Sequence, residues 1–504
     1  MSDTDHIKQA TSRLLPSTNP NITSTSWPPL RLALVAILLS LGSSFNFGFQ
    51  LLITNPAQGA FIEFLNHSKS LNNRESIEDL KLLENEWSII VASLFLGSVI
   101  GAFLIRIVAE KLGRKYGFML SVGVQLISCF IAILSYMITN HYLFTFSRIL
   151  MGTSITTSMG ISAIFVTEAS PSYCRGVTSL INGVFLQFSL SVGAIMAMPR
   201  LLGTVHSWYM LYIFQACTTS IVLVFLPFIH ESPGYLASHG NKKKTTESVQ
   251  FYHSISKTSA ELMSSRLIES HRTGDGMKKS LLSVWRNSFG RHGTLLGMLV
   301  NFSMAMTGIT VINAFAFEIL LNTGMEKHEA SIANVFVCLF SLAGIFVSTR
   351  IIDHHGRRPL LLSTFGALAI INIAIVGLMF THKYTETLLV GYILVAAICL
   401  FNFVFAMGPG PVSLFLSGEL VPQSFRSAST TWANAVMATA RFMVLSCYLP
   451  LKNLTSEYTA YALFFIAPMI LAVIVLYCTL PETKGKSAEE IKEAYEHKKL
   501  LTTH

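Results

Sequence analysis

"EASPSYCR" (Glu168–Arg175) and "ELVPQSFR" (Glu419–Arg426) share one pattern, E-x-x-P-x-x-x-R, and their glutamates stand 251 residues apart. Two more pairs keep the same order. "ESPG" from Glu231 and "ETKG" from Glu482 are again 251 apart. "EKLGRK" (Glu110–Lys115) and "DHHGRR" (Asp353–Arg358) share acid-x-x-Gly-basic-basic, 243 apart. Three matched motifs in one order read as an internal duplication.

What is duplicated follows from composition. The chain has 504 residues, 51% hydrophobic and 12% charged, with a mean hydropathy of +0.53. Soluble domains carry about twice that charge. Apolar runs fall at 30–51, 87–109, 116–138, 142–166, 177–200, 207–229, 293–317, 329–351, 360–380, 388–416, 427–449 and 459–480. Each is long enough to cross ~30 Å of hydrocarbon as a helix. Twelve spans in two halves make an all-α membrane protein, and parallel repeats place a solute site between the halves near the midplane. The chain divides into a polar tail (1–29), an N-terminal half (30–230), a linker with short helices (231–291), a C-terminal half (292–480) and a second tail (481–504). Residues 1–29 lack the basic start and short apolar core of a cleavable signal.

Lys/Arg bias orients the spans. The linker carries Lys242, Lys243, Lys244, Lys257, Arg266, Arg272, Lys278, Lys279, Arg286 and Arg291. Lys111, Arg114, Lys115, Arg357 and Arg358 lie on the same side if both termini are cytosolic. The 61–86 stretch is acidic and therefore outside. The net charge of +9 is thus a topology signal and not a nucleic-acid footprint. The sequon Asn66-His67-Ser68 falls on the side where glycosylation occurs. Seven cysteines without a CxxC indicate neither a disulfide framework nor a metal site. No P-loop or paired catalytic carboxylates appear, so neither an enzyme nor a cofactor is expected.

The repeated acids and arginines sit at span ends on the basic side. There they form charge-assisted pairs that lock one conformation and break in another. The alternative for any single Lys or Arg is headgroup anchoring. Repetition favours the gate.

These residues carry a resemblance. "GSSFNFGFQ" (42–50), "GRK" (113–115), "SRILMG" (147–152), "EASPSYCRG", "HESPGYL" (230–236), "HHGRRPL" (354–360), "GPGPVSLFLSGEL" (408–420) and "LPETKGKSAEEI" (480–491) stand in order. Together they resemble the sugar porters of the major facilitator superfamily, most of all the facilitative glucose and fructose transporters of animals. The resemblance implies that superfamily's fold over nearly the whole chain. It implies alternating access to a sugar-like solute, with the lipid bilayer and no nucleic acid as partner. The gating set it implies is Gly113, Arg114, Lys115, Arg148, Glu168, Arg175, Glu231, Asp353, Gly356, Arg357, Arg358, Glu419, Arg426 and Glu482. Hinges are expected at Gly308 and across Gly408, Pro409, Gly410 and Pro411.

The family's solute site is altered. Its seventh-span Gln-Gln-Leu-Ser-Gly-Ile-Asn reads Met304 to Thr310 here, keeping Gly308 and losing all three amides. The tenth-span Trp and Glu read Leu414 and Ala406, the eighth-span Asn reads Ser341, and the fifth-span Gln reads Gly183 with Gln187 one turn on. The eleventh span places Met437-Ala438 at the family's Asn-Trp, followed by Arg441. An Arg inside a span is a functional candidate by default. The expected solute-contacting set is Gln187, Asn301, Met304, Thr310, Asn313, Ser341, Leu414 and Arg441. For Asn301, Ser303, Thr307 and Asn313, interhelical bonding is an equal alternative. Gln50 stands where proton-coupled relatives carry Asp, so uniport is expected. A weakened hexose site, another small solute and a non-transporting sensor all remain open. "EHKKLL" (496–501) fits an endosomal dileucine pattern or a solvated tail; plasma membrane residence is expected.

Overall fold

The computed structural model describes residues 27–69, 77–171, 173–272, 280–483 and 490. The side chains of 77, 78, 271, 272, 352–355, 414, 415 and 423 lie outside that description. So do the dileucine stretch and most of both tails.

Among the described residues, twelve helices are long and apolar enough to span a membrane. They are Leu30–Leu52, Asp79–Lys111, Arg114–Ile138, His141–Ala169, Arg175–Met196 and Tyr209–Phe228, then Ser288–Leu321, Lys327–Ile351, Arg357–Thr385, Leu388–Glu419, Arg426–Leu454 and Glu457–Thr479. The chain is a multi-pass membrane protein with six spans in each half. Short helices Pro233–Ser238, Lys242–His253, Lys257–Arg272 and Ser283–Arg286 lie between the halves in sequence. They mark one end of the bundle as the linker end. Side-chain caps start several helices: Asn140 accepts from the Leu143 N–H, Ser232 from Tyr235 and Asn287 from Gly290. Each satisfies a donor that the first helical turn leaves without a partner.

Two boundaries differ from the hydropathy reading. The second span's helix begins at Ile77, well before Trp87, because an acidic turn does not end a helix that has left the apolar layer. The stretch read as an outer loop also contains the helix Gln58–Ser68. The Asn66 sequon therefore sits in a helix's last turn, and the Ser68 hydroxyl is engaged by His141.

Several spans are broken. The seventh runs Ser288–Ala305 and restarts at Ile309 after Gly308, whose φ is 101°. A carbonyl freed by a break inside a membrane needs another donor. Asn372 supplies it, its Nδ2 donating to Thr307 O at 2.9 Å, and Tyr461 Oη donates to Asn372 Oδ1 at 3.0 Å. The tenth span breaks at Gly408, and Pro409 opens the next segment at a position where its missing N–H costs nothing.

Within the N-terminal half, the second and fourth spans pack backbone to backbone. A Cβ on Gly152 would stand 1.8 Å from Leu94 O. Small residues permit such approach where no hydrophobic force drives helices together.

Candidate functional site: a cavity between the halves

Spans one, two, four and five from one half and seven, eight, ten and eleven from the other enclose a cavity of ≈ 120 Å³. Gln187, Met304, Thr310, Asn313, Ser341 and Arg441 all line it. So do Gly410 and Pro411 beside the tenth-span break. The two halves meet in its wall: Ser341 Oγ donates to Gln187 Oε1 at 2.9 Å. The remaining wall is largely apolar, with Phe47, Leu51, Phe95, Leu186, Ile309 and Phe405 prominent.

Two expected residues stand elsewhere. Asn301 is buried away from the cavity, its amide donating to Gly297 O at 3.0 Å and to Ser413 O at 3.2 Å. It stitches the seventh span to the tenth. Arg148, expected among the helix-end gates, instead lines the cavity, with Nη1 donating to Gln50 Oε1 at 3.1 Å and Nη2 to Val91 O at 3.3 Å. Gln50 in turn bonds Gln215. The Leu414 side chain lies outside the described residues.

The cavity's charge is one-sided. Arg148 and Arg441 line it, and no carboxylate does among the described residues. Arg441 is 7% exposed, its Nε has no hydrogen-bond partner, and its guanidinium lies 5.6 Å from the Phe95 ring centroid.

At the linker end, the duplicated motifs build two equivalent clamps. Glu231 accepts from the backbone N–H of Arg114 and Lys115, and Glu482 accepts from Arg357 and Arg358, at 3.0–3.2 Å. A carboxylate at a helix N-terminus suits both the free donors and the dipole. Gly113 and Gly356 precede these helices at φ 87° and 84°. A Cβ on either would reach the clamped carboxylate at 2.7 and 2.9 Å, so only glycine suits the turn. Arg114 pairs with Glu168 at 2.6 Å, and Arg357 with Glu419 at 3.6 Å. Ser232 and Thr483 donate to those same glutamates. Lys115 caps the sixth span through Pro227 O and Ile229 O, and Arg358 caps the twelfth through Tyr477 O.

The motif's own arginines do not pair with its glutamates. Arg175 donates to Ser170 O and Arg426 to Gly418 O, so each closes the helix end that precedes it. Every clamp contact described here also stays within one half. The Asp353 side chain lies outside the described residues.

The halves are instead bridged at the far end by residues that the sequence reading did not assign to a contact between them. Asn55, after the first span, accepts from Phe317 N at 2.9 Å and reaches Asn334. Gln58 donates to Glu318 at 2.6 Å, and Glu318 also pairs with Lys452. Asn453 donates to Asn85 at 3.1 Å. A carboxylate within the apolar seventh span was the available signal.

Twelve spans in two like halves around a cavity walled by both define a membrane carrier of the major facilitator type. The sugar (and other) transporter family profile matches residues 35–495, and the chain belongs to that family. It is 25% identical to facilitated glucose transporter protein 1 of Caenorhabditis elegans over 93% of this chain and 91% of that protein. It is also 25% identical to human solute carrier family 2, facilitated glucose transporter member 9, covering 90% and 84%. Among solved structures, the inward open xylose transporter XylE of E. coli matches with a TM-score of 0.74 at 19% identity, covering 92% of this chain and 99% of that one. The family is one of transporters and not of enzymes.

Proposed function

We propose that this chain moves a small polar solute of about sugar size across the plasma membrane by facilitated diffusion, exposing one site alternately to each side. The observation that carries this reading is the cavity walled by both halves, joined across them by Ser341 and Gln187. The relatives named for glucose and xylose transport support a solute of that size. Gln50 in the first span and the absence of a lining carboxylate among the described residues favour uniport over proton coupling. On this reading the linker and both termini are cytosolic, and Asn66 faces outside. The linker-end clamps hold each half rigid, while the far-end bridges close the outer path.

The test is uptake of radiolabelled solutes into proteoliposomes. The control is Arg114→Ala with Arg357→Ala, which removes both arginine–glutamate pairs. Uptake above the control supports transport, and binding without net uptake would make the chain a sensor. Accumulation above equilibrium driven by a pH gradient would overturn uniport.

A further inference from the structure

The cavity presents a charge that the protein does not itself answer. Arg441 is more than nine-tenths buried, lines the cavity, and makes no hydrogen bond among the described residues. Its guanidinium lies 5.6 Å from the centroid of the Phe95 ring. Arg148, the cavity's other guanidinium, is held by Gln50 and the Val91 carbonyl. The two cations therefore have different standing: Arg148 is part of a network, and Arg441 is not. A guanidinium stays protonated in proteins, and an isolated buried charge is strongly unfavourable until paired. Its planar fork fits a carboxylate through two parallel bonds.

The rest of the wall says what the carboxylate is attached to. A sugar presents hydroxyls on every side, and each needs a partner when buried. Here Ser341 and Gln187 are already bonded to each other, and Met304, Ile309, Phe405 and Leu445 occupy wall where partners would be needed. An apolar body suits that wall. Thr310 Oγ1 and Thr54 Oγ1 are left over as polar groups without a bond of their own, and the Asn313 amide also lines the cavity, so the wall keeps a small polar side beside its apolar one.

We infer that the solute is a small organic anion, a carboxylate on a compact apolar body, with the carboxylate bound by Arg441 and the body against the apolar wall. This rests on the transport reading above for its route but not for its binding site.

The test uses the purified full-length chain. Its thermal midpoint is followed with benzoate and with cyclohexanecarboxylate, each compared with its own amide and with D-glucose. Both carboxylates should raise the midpoint, while the amides and glucose should not. Arg441→Gln should weaken carboxylate binding about tenfold or more, and Arg441→Lys should keep part of it, because the charge survives and the fork does not. An equal shift from the amides or glucose overturns the inference, as does a carboxylate shift that persists in Arg441→Gln. Should that variant fail to fold, the comparison of carboxylate with amide on the unaltered chain decides alone. Proteoliposome uptake separates the two readings. Glucose uptake, lost in the Arg114→Ala/Arg357→Ala control and without any carboxylate response, sinks the anion and keeps the carrier. Carboxylate binding with no uptake of either solute keeps the anion site and sinks the carrier. No response of any kind sinks both.

Discussion

Arg441 and Gly308 show how single residues set the character of this chain. A buried unpaired cation lowers stability, so Arg441→Met should stabilise the ligand-free protein by about 1 kcal/mol or more, read as a raised thermal midpoint. Gly308 acts through its backbone. At φ 101° an L side chain is strained, and a Cβ there would meet Tyr461 Oη at 2.9 Å. Gly308→Ala should cost about 1–3 kcal/mol in the same measurement. Neither effect needs an alignment to be foreseen, yet their environments do. That Gly308 breaks a helix is legible in a membrane span, whereas the Asn372 and Tyr461 that make the break tolerable come from distant spans. Asn301 went astray for a related reason. It stands three residues from Met304, which turns it about 60° around the helix, and that is enough to face the tenth span and not the cavity.

The helix-end clamps are chemically duplicated but not energetically equal. Arg114 and Glu168 are 6% and 23% exposed at 2.6 Å; Arg357 and Glu419 are 23% and 32% exposed at 3.6 Å. Arg114→Ala leaves the half-buried Glu168 carboxylate with Ser232 as its remaining partner and should destabilise by about 1–3 kcal/mol. Arg357→Ala removes a longer, wetter pair, worth about 0–1 kcal/mol. Denaturant unfolding of the two variants side by side would show equal losses if this ranking is wrong. The linker helix Lys242–His253 adds a pH dependence. It docks on the N-terminal half through Tyr252, which donates to His230 O and packs edge-on against Phe165, and through Phe251 beneath Arg31. Burial holds the His253 imidazole below its ordinary value of 6.5, against a backbone bond at Ala169 that raises it. The folded state thus resists the proton that the unfolded state accepts, so docking is full above that value and weakens as pH falls below it. Protection factors over 242–253, with the intrinsic pH dependence of amide exchange divided out, should fall below pH 6.5, and His253→Asn should remove that fall. At this scale the repeat made the clamps readable in advance. It did not show which glutamate meets which arginine, because that depends on where four helix ends converge.

For the molecule as a whole, described contacts between the halves run along the second and eleventh spans, from Phe103 against Trp432 towards the linker end, past the cavity wall, to the Asn85–Asn453 bond at the far end. Glu318 is central there, bonded to Gln58 of one half and Lys452 of its own. Glu318→Gln keeps the shape and loses the charge. Spin labels on the exposed Leu82 and Leu454 should then report a broader, longer distance between the far ends of the halves. An unchanged distribution would mean that Asn55 and the Asn85–Asn453 bond suffice. The twelve spans, the duplication and the membrane class were readable because hydropathy and motif order are properties of the chain itself. The cavity's lining was readable in part: Gln187, Met304, Thr310, Asn313, Ser341 and Arg441 line it, Arg148 lines it although it was expected among the gates, and Asn301 stands away from it. Contacts between halves join residues some 150 to 370 positions apart, and no local pattern encodes them. One feature of that cavity reaches beyond recognition. With two guanidiniums and no lining carboxylate among the described residues, its fixed charge lies within the electric field of the membrane. Moving one charge through the full field is worth about 2.3 kcal/mol per 100 mV. Any rearrangement that shifts these side chains along the membrane normal is therefore biased by voltage, and an anion seated on Arg441 would reduce the charge that the field can pull.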